Sequence, residues 1–185
     1  MKVPIRWIAL AVGVVVVAAC VVFAVKLSKG TAEASVPRLV QEHAHAPAFT
    51  LEGLDGKTID SKQLEGKTYV VNFFNSWCIP CVQEAPALKA FYAEHKNDPD
   101  FAMVGIIIDD DASTMRGYVD RERIGWQVGV DPQGEASVGF GTTGQPETYV
   151  FSPDGIAACG NLGASSQAAL DVWLNAARSG KVCTA

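Results

Sequence analysis

The chain carries three compact apolar runs that predict buried β-strands. Residues 68–75 give the clearest signal, because they contain the β-branched and aromatic stretch Tyr69-Val70-Val71-Asn72-Phe73-Phe74. Residues 102–108 are similarly apolar, and residues 146–152 contain the run Tyr149-Val150-Phe151. Two shorter segments, 49–51 and 57–59, flank Asp55-Gly56, a dipeptide typical of hairpin turns. We therefore expect a sheet that includes an N-terminal β-hairpin.

Helical patterns lie between and after these strands. They are predicted over residues 61–64, 80–96 (interrupted at Pro86), 113–123 and 133–140. A last helix begins after Ser165 or Ser166 and ends near Gly180, with Ala169, Leu170, Trp173, Leu174 and Ala177 on one face. Short strands are predicted over 127–130 and 156–159. This order of strand, helix, strand, hairpin and final helix predicts a mixed sheet with helices on both faces.

The N-terminal segment is apolar over residues 7–27, apart from Lys26. At about 1.5 Å per helical residue, that run approaches the thickness of a bilayer core, about 30 Å. We interpret residues 1–27 as a retained signal anchor, 28–44 as a linker and 45–185 as the folded domain. Two alternatives stay open: a lipoprotein anchor at Cys20, which follows Val17-Ala18-Ala19, and a cleaved signal peptide.

The net charge of the chain argues against nucleic acid as a partner. The 185 residues include 15 Lys and Arg against 20 Asp and Glu, a formal net charge of −5. The acidic excess falls within residues 45–185, so this domain lacks the basic surface that nucleic acid binding requires. His43 and His45 alternate in the linker, where we interpret them as solvated residues rather than metal ligands.

Two of the five cysteines, Cys78 and Cys81, form a Cys-x-x-Cys motif where the first buried strand meets a helix. This spacing lets one helical turn bring both sulfurs within disulfide range. Cys78 then lies at the helix N-terminus, where free N–H groups and the helix dipole favour its thiolate. A zinc half-site or a static disulfide are the alternatives, but a closed zinc site needs four ligands. The motif predicts a thiol–disulfide exchange centre with Cys81 as the resolving thiol.

The sequence around this motif resembles the TlpA/ResA/DsbE group of thioredoxin-like proteins. The resemblance rests on Asn75-Ser76-Trp77-Cys78-Ile79-Pro80-Cys81, with Glu84 and Pro86 following, and on a second signature, Gly144-Gln145-Pro146-Glu147-Thr148-Tyr149. It covers about residues 45–178. It implies a thioredoxin-like α/β fold, a central mixed β-sheet flanked by helices, with an N-terminal β-hairpin and a βα insert within residues 97–130. It also implies no cofactor and no metal.

The resemblance further implies roles for single residues. Pro146 should be a cis-proline facing the two sulfurs, while Trp77 and the backbone of Gln145 should contact an extended partner segment. Glu84 should be the acidic residue near the redox pair, where it accepts or supplies protons; a solvated helix-face glutamate is the alternative. Asn72 stands where thioredoxins carry a buried acid that accepts protons. Without that acid, Glu84 becomes the main candidate for the proton acceptor.

Cys159 and Cys183 follow the predicted hairpin and the last helix. In an oxidising compartment they would form a structural disulfide; two unpaired thiols are the alternative. Together with the anchor, this pair indicates a single-pass protein of the cell membrane whose domain faces the extracytoplasmic side.

The function expected from the resemblance is exchange with protein thiols and disulfides. A reductase, supplying electrons to apocytochrome c during cytochrome c maturation, is favoured over an oxidase acting on secreted proteins. A reductase would also need an upstream membrane electron donor. A peroxidase would require Pro-x₃-Thr/Ser-x₂-Cys, and a copper chaperone Cys-x₃-Cys; neither pattern is present. Asp109-Asp110-Asp111 should lie near the active site and select a basic partner, or simply begin a helix.

Overall fold

The computed structural model describes residues 13–21, 40 and 43–183. Residues 13–21 are helical and exposed, and they include Cys20. Among the described residues, no helix combines the length and the apolarity needed to cross a membrane. The rest of the predicted anchor 1–27 and most of the predicted linker 28–44 lie outside the described residues. Val40, within that predicted linker, is buried in the core.

The described part of the domain alternates strands and helices in the predicted order. The strands are β1 Thr50–Gly53, β2 Thr58–Asp60, β3 Thr68–Phe73, β4 Phe101–Ile107, β5 Gln127–Val130, β6 Glu147–Phe151 and β7 Ala157–Leu162. The helices are α1 Ile79–His95, α2 Ala112–Glu122, α3 Glu135–Phe140 and α4 Gln167–Arg178, with a 3₁₀ helix over Ser61–Leu64.

The seven strands form one mixed sheet in the order β2-β1-β5-β4-β3-β6-β7. Strands β3, β4 and β5 run parallel, whereas β6 lies antiparallel to β3 on its other side. The register pairs Asn72 with Gly105 on β4 and with Thr148 on β6. The predicted mixed sheet and thioredoxin-like fold are therefore confirmed, including the N-terminal hairpin and the β4–α2–β5 insert.

Alternation along β3 divides the apolar core between the two faces of the sheet. Val70 lies in a cluster with residues of α1, α2 and α4, including Leu88, Met115, Leu170 and Leu174. Tyr69, Val71 and Phe73 point to the other face, where they pack with residues such as Phe140, Tyr149 and Phe151. All six residues of β3 are buried, as expected for a central strand covered on both sides.

Helix α1 continues through Pro86, so the predicted interruption is wrong. Proline lacks the N–H that would bond to the Val82 carbonyl one turn earlier. Both residues lie on the exposed side of the helix, where water can hydrate that carbonyl. The helix therefore stays continuous and keeps its buried face, formed by Cys81, Glu84, Ala85, Leu88 and Phe91.

Helix α4 covers the sheet next to the C-terminal tail. Ser166 caps it, its hydroxyl accepting a hydrogen bond from the Ala169 N–H at 3.2 Å. After the helix, the Cys183 N–H bonds to the Ala158 carbonyl, and Cys183 forms a disulfide with Cys159 of β7. The tail is thus tied to β7 by a disulfide and a backbone hydrogen bond, within the same apolar cluster as the buried face of α4.

Candidate active site

The redox motif lies where β3 leaves the sheet and α1 begins. Cys78 is the N-cap residue of α1, and its sulfur accepts a hydrogen bond from the Cys81 N–H at 3.2 Å. The two cysteines form a disulfide with a Cα–Cα distance of 5.2 Å. Both are nearly buried, with 5% and 3% of their surface exposed. In the reduced state this position would favour a Cys78 thiolate, because the helix N-terminus stabilises negative charge.

The loop preceding Cys78 is held by residues that follow β4. Asp110 accepts hydrogen bonds from both the N–H and the hydroxyl of Ser76, each at 2.8 Å. The indole N–H of Trp77 bonds to the Asp109 carbonyl at 3.2 Å. Parallel β3 and β4 end at the same edge of the sheet, which brings these two loops together. The acidic run therefore supports the active-site loop, a role that the sequence analysis did not predict.

Asp111, the third residue of that run, begins helix α2. Its carboxylate accepts a hydrogen bond from the Thr114 N–H at 2.9 Å and another from the Ser113 hydroxyl. These hydrogen bonds hold the pKa of Asp111 below its usual value. The helix-entry interpretation of the run thus describes Asp111, while Asp110 serves the redox loop.

The second signature also reaches this edge of the sheet. The Gln145–Pro146 peptide bond is cis, and Pro146 is buried immediately before β6. Because β6 runs antiparallel to β3, its beginning lies beside the end of β3. The Asn75 side-chain amide donates to the Gln145 side-chain carbonyl at 3.2 Å, joining the two loops directly.

Glu84 lies one turn after Cys81 on α1, and only 2% of it is exposed. Its carboxylate accepts hydrogen bonds from the Ser165 N–H at 2.7 Å and from the Asn72 side-chain amide at 3.3 Å. Burial raises the pKa of Glu84 to about 7, and these hydrogen bonds only partly offset it. The acid can therefore gain or lose a proton near neutral pH, which a solvated glutamate would not do.

A second buried carboxylate, Glu147, has no counterpart among the predicted site residues. It accepts hydrogen bonds from the Tyr149 hydroxyl at 2.6 Å and from the Thr143 N–H at 2.9 Å. Glu147 pairs with Phe73 in the sheet register, so its side chain lies on the α3 face, opposite Glu84. It fixes the loop before Pro146. The sequence offered one signal for a role of Glu147, which is its position within the second signature, Gly144-Gln145-Pro146-Glu147-Thr148-Tyr149.

Apolar side chains surround the redox pair at the surface. Trp77, Ile79 and Val82 are 59%, 71% and 44% exposed. These exposures are large for apolar residues so close to a buried disulfide, and such surface commonly marks a contact region.

The structure thus brings together Trp77, Cys78, Cys81 and Glu84 on or beside α1, with Gln145 and Pro146 on the neighbouring loop. It places Cys159 and Cys183 elsewhere, on β7 and in the C-terminal tail.

Known proteins resemble this chain in sequence and in structure. The ResA thiol-disulfide oxidoreductase of Bacillus thuringiensis subsp. konkukian is 27% identical over 110 residues, covering 60% of this chain and 63% of that protein. The ResA protein of Oceanobacillus iheyensis is 31% identical over 114 residues, covering 60% of this chain and 59% of its own length. The match therefore spans less than two thirds of these relatives.

Solved structures match over a larger share of their own length. A thiol:disulfide interchange protein of the thioredoxin family from Chlorobium tepidum has a TM-score of 0.66 and 29% identity, covering 72% of this chain and 94% of its own. A secreted Mycobacterium tuberculosis disulfide oxidoreductase, homologous to Escherichia coli DsbE, has a TM-score of 0.63 and 28% identity, covering 69% and 95%.

A model of the AhpC/TSA family matches residues 43–158, which contain β1 through most of the β6–β7 hairpin and the whole redox motif. Together with the thioredoxin-like sheet and the Cys78–Cys81 pair, this match shows that the chain belongs to the AhpC/TSA family.

Proposed function

We propose that this protein is a thiol–disulfide oxidoreductase that exchanges its Cys78–Cys81 pair with protein thiols and disulfides. The observation that carries the proposal is the position of Cys78 as the N-cap of α1, disulfide-bonded to Cys81 one turn later. Relatives named as thiol-disulfide oxidoreductases and interchange proteins support it. A peroxidase is less well supported, because residues 71–78 lack the Pro-x₃-Thr/Ser-x₂-Cys pattern: Val71 stands at the proline position and Asn75 at the Thr/Ser position.

In the reductive direction, the Cys78 thiolate attacks one sulfur of a partner disulfide. A mixed disulfide forms, and the partner's other sulfur leaves as a thiolate, which takes a proton from water. Cys81 then loses its proton and attacks the Cys78 sulfur. The Cys78–Cys81 bond forms, and the second partner sulfur leaves as a thiolate that also takes a proton from water. The partner has then gained two electrons and two protons, and the Cys81 proton returns to solvent. The same steps in reverse oxidise a partner dithiol.

Glu84 is the proposed proton acceptor for Cys81. It follows Cys81 by one helical turn, it is buried, and burial raises its pKa to about 7. A carboxylate with that pKa can take the Cys81 proton at neutral pH and release it after exchange.

The partner is proposed to bind as an extended segment along the loop of Gln145 and Pro146. Exposed Trp77 and Ile79 supply apolar contacts beside the redox pair. The Gln145 backbone would pair with the segment in the manner of strand addition.

We infer that electrons flow from this protein to its partner, in a reductase of the kind used in cytochrome c maturation. A buried carboxylate beside the pair opposes a Cys78 thiolate, and a less stable thiolate makes the dithiol more reducing. A potential near or below about −270 mV would support this direction. A potential near about −120 mV would instead indicate an oxidase that acts on secreted proteins.

We further propose that residues 1–27 anchor the protein in the cell membrane and that the domain is extracytoplasmic. The apolar run 7–27 and the Cys159–Cys183 bond support this, because structural disulfides persist in oxidising compartments. Protease added to intact spheroplasts should digest the domain; protection until the membrane is dissolved would contradict the proposal.

Cysteine variants test the exchange reaction. Cys78→Ser should abolish reduction of a protein disulfide, and Cys81→Ser should accumulate the mixed disulfide, visible by non-reducing electrophoresis. Cys20→Ser is the matched control and should exchange like the parent. Full turnover by the Cys78 variant would contradict the proposed function.

A further inference from the structure

A buried polar network surrounds Glu84, and each member comes from a different element. Asn72 lies on β3, Thr148 lies directly opposite on β6, and Ser165 precedes α4. All three are buried, with at most 7% exposed. Among the described residues, the hydrogen bonds to the Glu84 carboxylate come from uncharged groups. On its own helix, Cys81 of the redox pair precedes Glu84 by three residues, one helical turn.

The Asn72 amide nitrogen is shared within this network. It donates to Glu84 at 3.3 Å and to the Thr148 hydroxyl at 2.9 Å. The amide oxygen of the same side chain is buried and has no hydrogen-bond partner among the described residues. An unpaired buried carbonyl is uncommon, and it leaves this side chain with an acceptor that is not in use.

We propose that Asn72 is a positioning residue for proton transfer by Glu84, because its amide can bond to either protonation state of that carboxyl. The nitrogen donates to the carboxylate, as observed. When Glu84 holds a proton, rotation of the amide presents the free oxygen as an acceptor. The Thr148 hydroxyl tolerates both orientations, since a hydroxyl both donates and accepts. This inference rests on the proposed function, in which Glu84 exchanges a proton with Cys81.

An aspartate at position 72 would behave differently. It would have the same shape but, when ionised, only acceptors, and it would place a second negative charge against Glu84. Paired carboxylates in one buried site cannot both ionise easily, so Glu84 would keep its proton to higher pH. The amide therefore leaves Glu84 as the one buried acid of this network.

The test follows the titration of Glu84 in the oxidised full chain, with ¹³C-labelled glutamate and Glu84→Gln to assign the signal. Asn72→Asp should raise the proton affinity of Glu84 at least about tenfold, which is one pKa unit. Thr148→Val, a nearly isosteric change, should raise it by a smaller factor. Thr68→Val is the matched control, because Thr68 is a buried threonine at the other end of β3 whose hydroxyl has no hydrogen-bond partner within the described part of the chain; it should leave the titration unchanged.

An unchanged Glu84 titration in both Asn72→Asp and Thr148→Val would overturn the proposal. If Asn72→Asp does not fold, Thr148→Val decides alone. Turnover of a protein disulfide by the same samples separates this inference from the proposed function. If the variants shift the titration of Glu84 but leave the pH profile of exchange unchanged, Glu84 has no role in exchange and the inference about Asn72 holds. If the variants leave the titration of Glu84 unchanged while Glu84→Gln alters the pH profile of exchange, Glu84 takes part in exchange and the inference about Asn72 is wrong.

Discussion

Three acidic side chains of the active-site region differ in the groups that donate hydrogen bonds to them. Glu84 is buried against neutral donors, so its charge is only partly stabilised. Glu147, on the other face of the sheet, holds the loop before Pro146 through Thr143. Asp110 is half-exposed and braces Ser76. Burial and hydrogen-bond partners therefore separate these acids: Glu147 and Asp110 hold loops in place, whereas Glu84 has the raised pKa that its proposed role in proton transfer requires.

Replacing Glu84 should change how stability depends on pH. Burial raises the pKa of Glu84 from 4.5 to about 7, so between these values the folded chain holds a proton that the unfolded chain has released. The free energy of unfolding should therefore fall as pH rises through this window, by on the order of 3 kcal/mol. Glu84→Gln should remove this fall. Urea denaturation of the oxidised chain at several pH values measures it.

Glu52→Gln is the control for that experiment, because Glu52 is an exposed glutamate on β1. It should keep the pH dependence of the parent. Equal slopes for the parent and Glu84→Gln would show that the Glu84 carboxyl is ionised to the same extent in the folded and unfolded chains.

Asp110 should control the geometry of the redox loop. One carboxylate oxygen accepts from Ser76 and the other accepts from the Asp111 N–H at 2.8 Å, whereas an amide has a single acceptor. Asp110→Asn should therefore break one side of this support and slow exchange roughly tenfold, as misplacement of a reacting group does. Asp109→Asn is the control, since only the Asp109 carbonyl contacts Trp77. Stopped-flow rates that are equal for the two variants would contradict this role.

At the scale of elements, the site depends on where strands and helices end. Strands β3 and β4 deliver the loops of Ser76 and Asp110 to one edge, and antiparallel β6 starts at the same edge. Helix α1 begins there with the redox pair. The segment before helix α4 also takes part, because the Ser165 N–H donates a hydrogen bond to the Glu84 carboxylate. The site is thus assembled from five elements, three strands of the sheet and two helices packed on it.

The second disulfide should stabilise the domain without taking part in exchange. It joins residues 24 apart in the sequence and closes a loop that contains the whole of α4. For a loop of that length, the double variant Cys159→Ala/Cys183→Ala should lose about 3 kcal/mol of unfolding free energy, measured by denaturation under oxidising conditions. Exchange by the folded variant should be retained. A loss of exchange with unchanged stability would instead make this pair a redox participant.

At the scale of the whole molecule, the sequence predicted the strands and helices, which local patterns encode, better than it predicted contacts between residues far apart in the chain. The apolar runs around Val70 and Ile106 predicted the central strands, because a strand covered on both faces must be apolar throughout. The Asp110–Ser76 and Glu84–Ser165 hydrogen bonds join residues 34 and 81 positions apart. Such pairs depend on how loops pack after the sheet forms, and no periodicity encodes them.

Local rules also misled where tertiary packing overrides them. A proline in a helical pattern predicts an interruption, but Pro86 lies on the exposed side of α1, where the Val82 carbonyl that loses its helical hydrogen bond is accessible to water. The packed face of the helix, including Leu88 and Phe91, holds it in one piece.

The redox state should change the stability of the whole domain in a direction that tests the proposed reductase. The potential of the Cys78–Cys81 pair and the unfolding free energies of the oxidised and reduced chains belong to one thermodynamic cycle. In a reductant the disulfide form is the more stable fold, whereas a strong oxidant stabilises its dithiol form. We therefore expect the oxidised chain to unfold at higher urea than the reduced chain.

The comparison is made in the Cys159→Ala/Cys183→Ala background, so that only the Cys78–Cys81 bond differs between the two states. Each 30 mV by which the folded pair is more reducing than the unfolded pair corresponds to about 1.4 kcal/mol of added stability in the oxidised form. Adding Glu84→Gln should shrink the difference, because removing the buried carboxyl eases formation of the Cys78 thiolate. A reduced form more stable than the oxidised form would mean that the dithiol is the favoured fold and that this protein works as an oxidant.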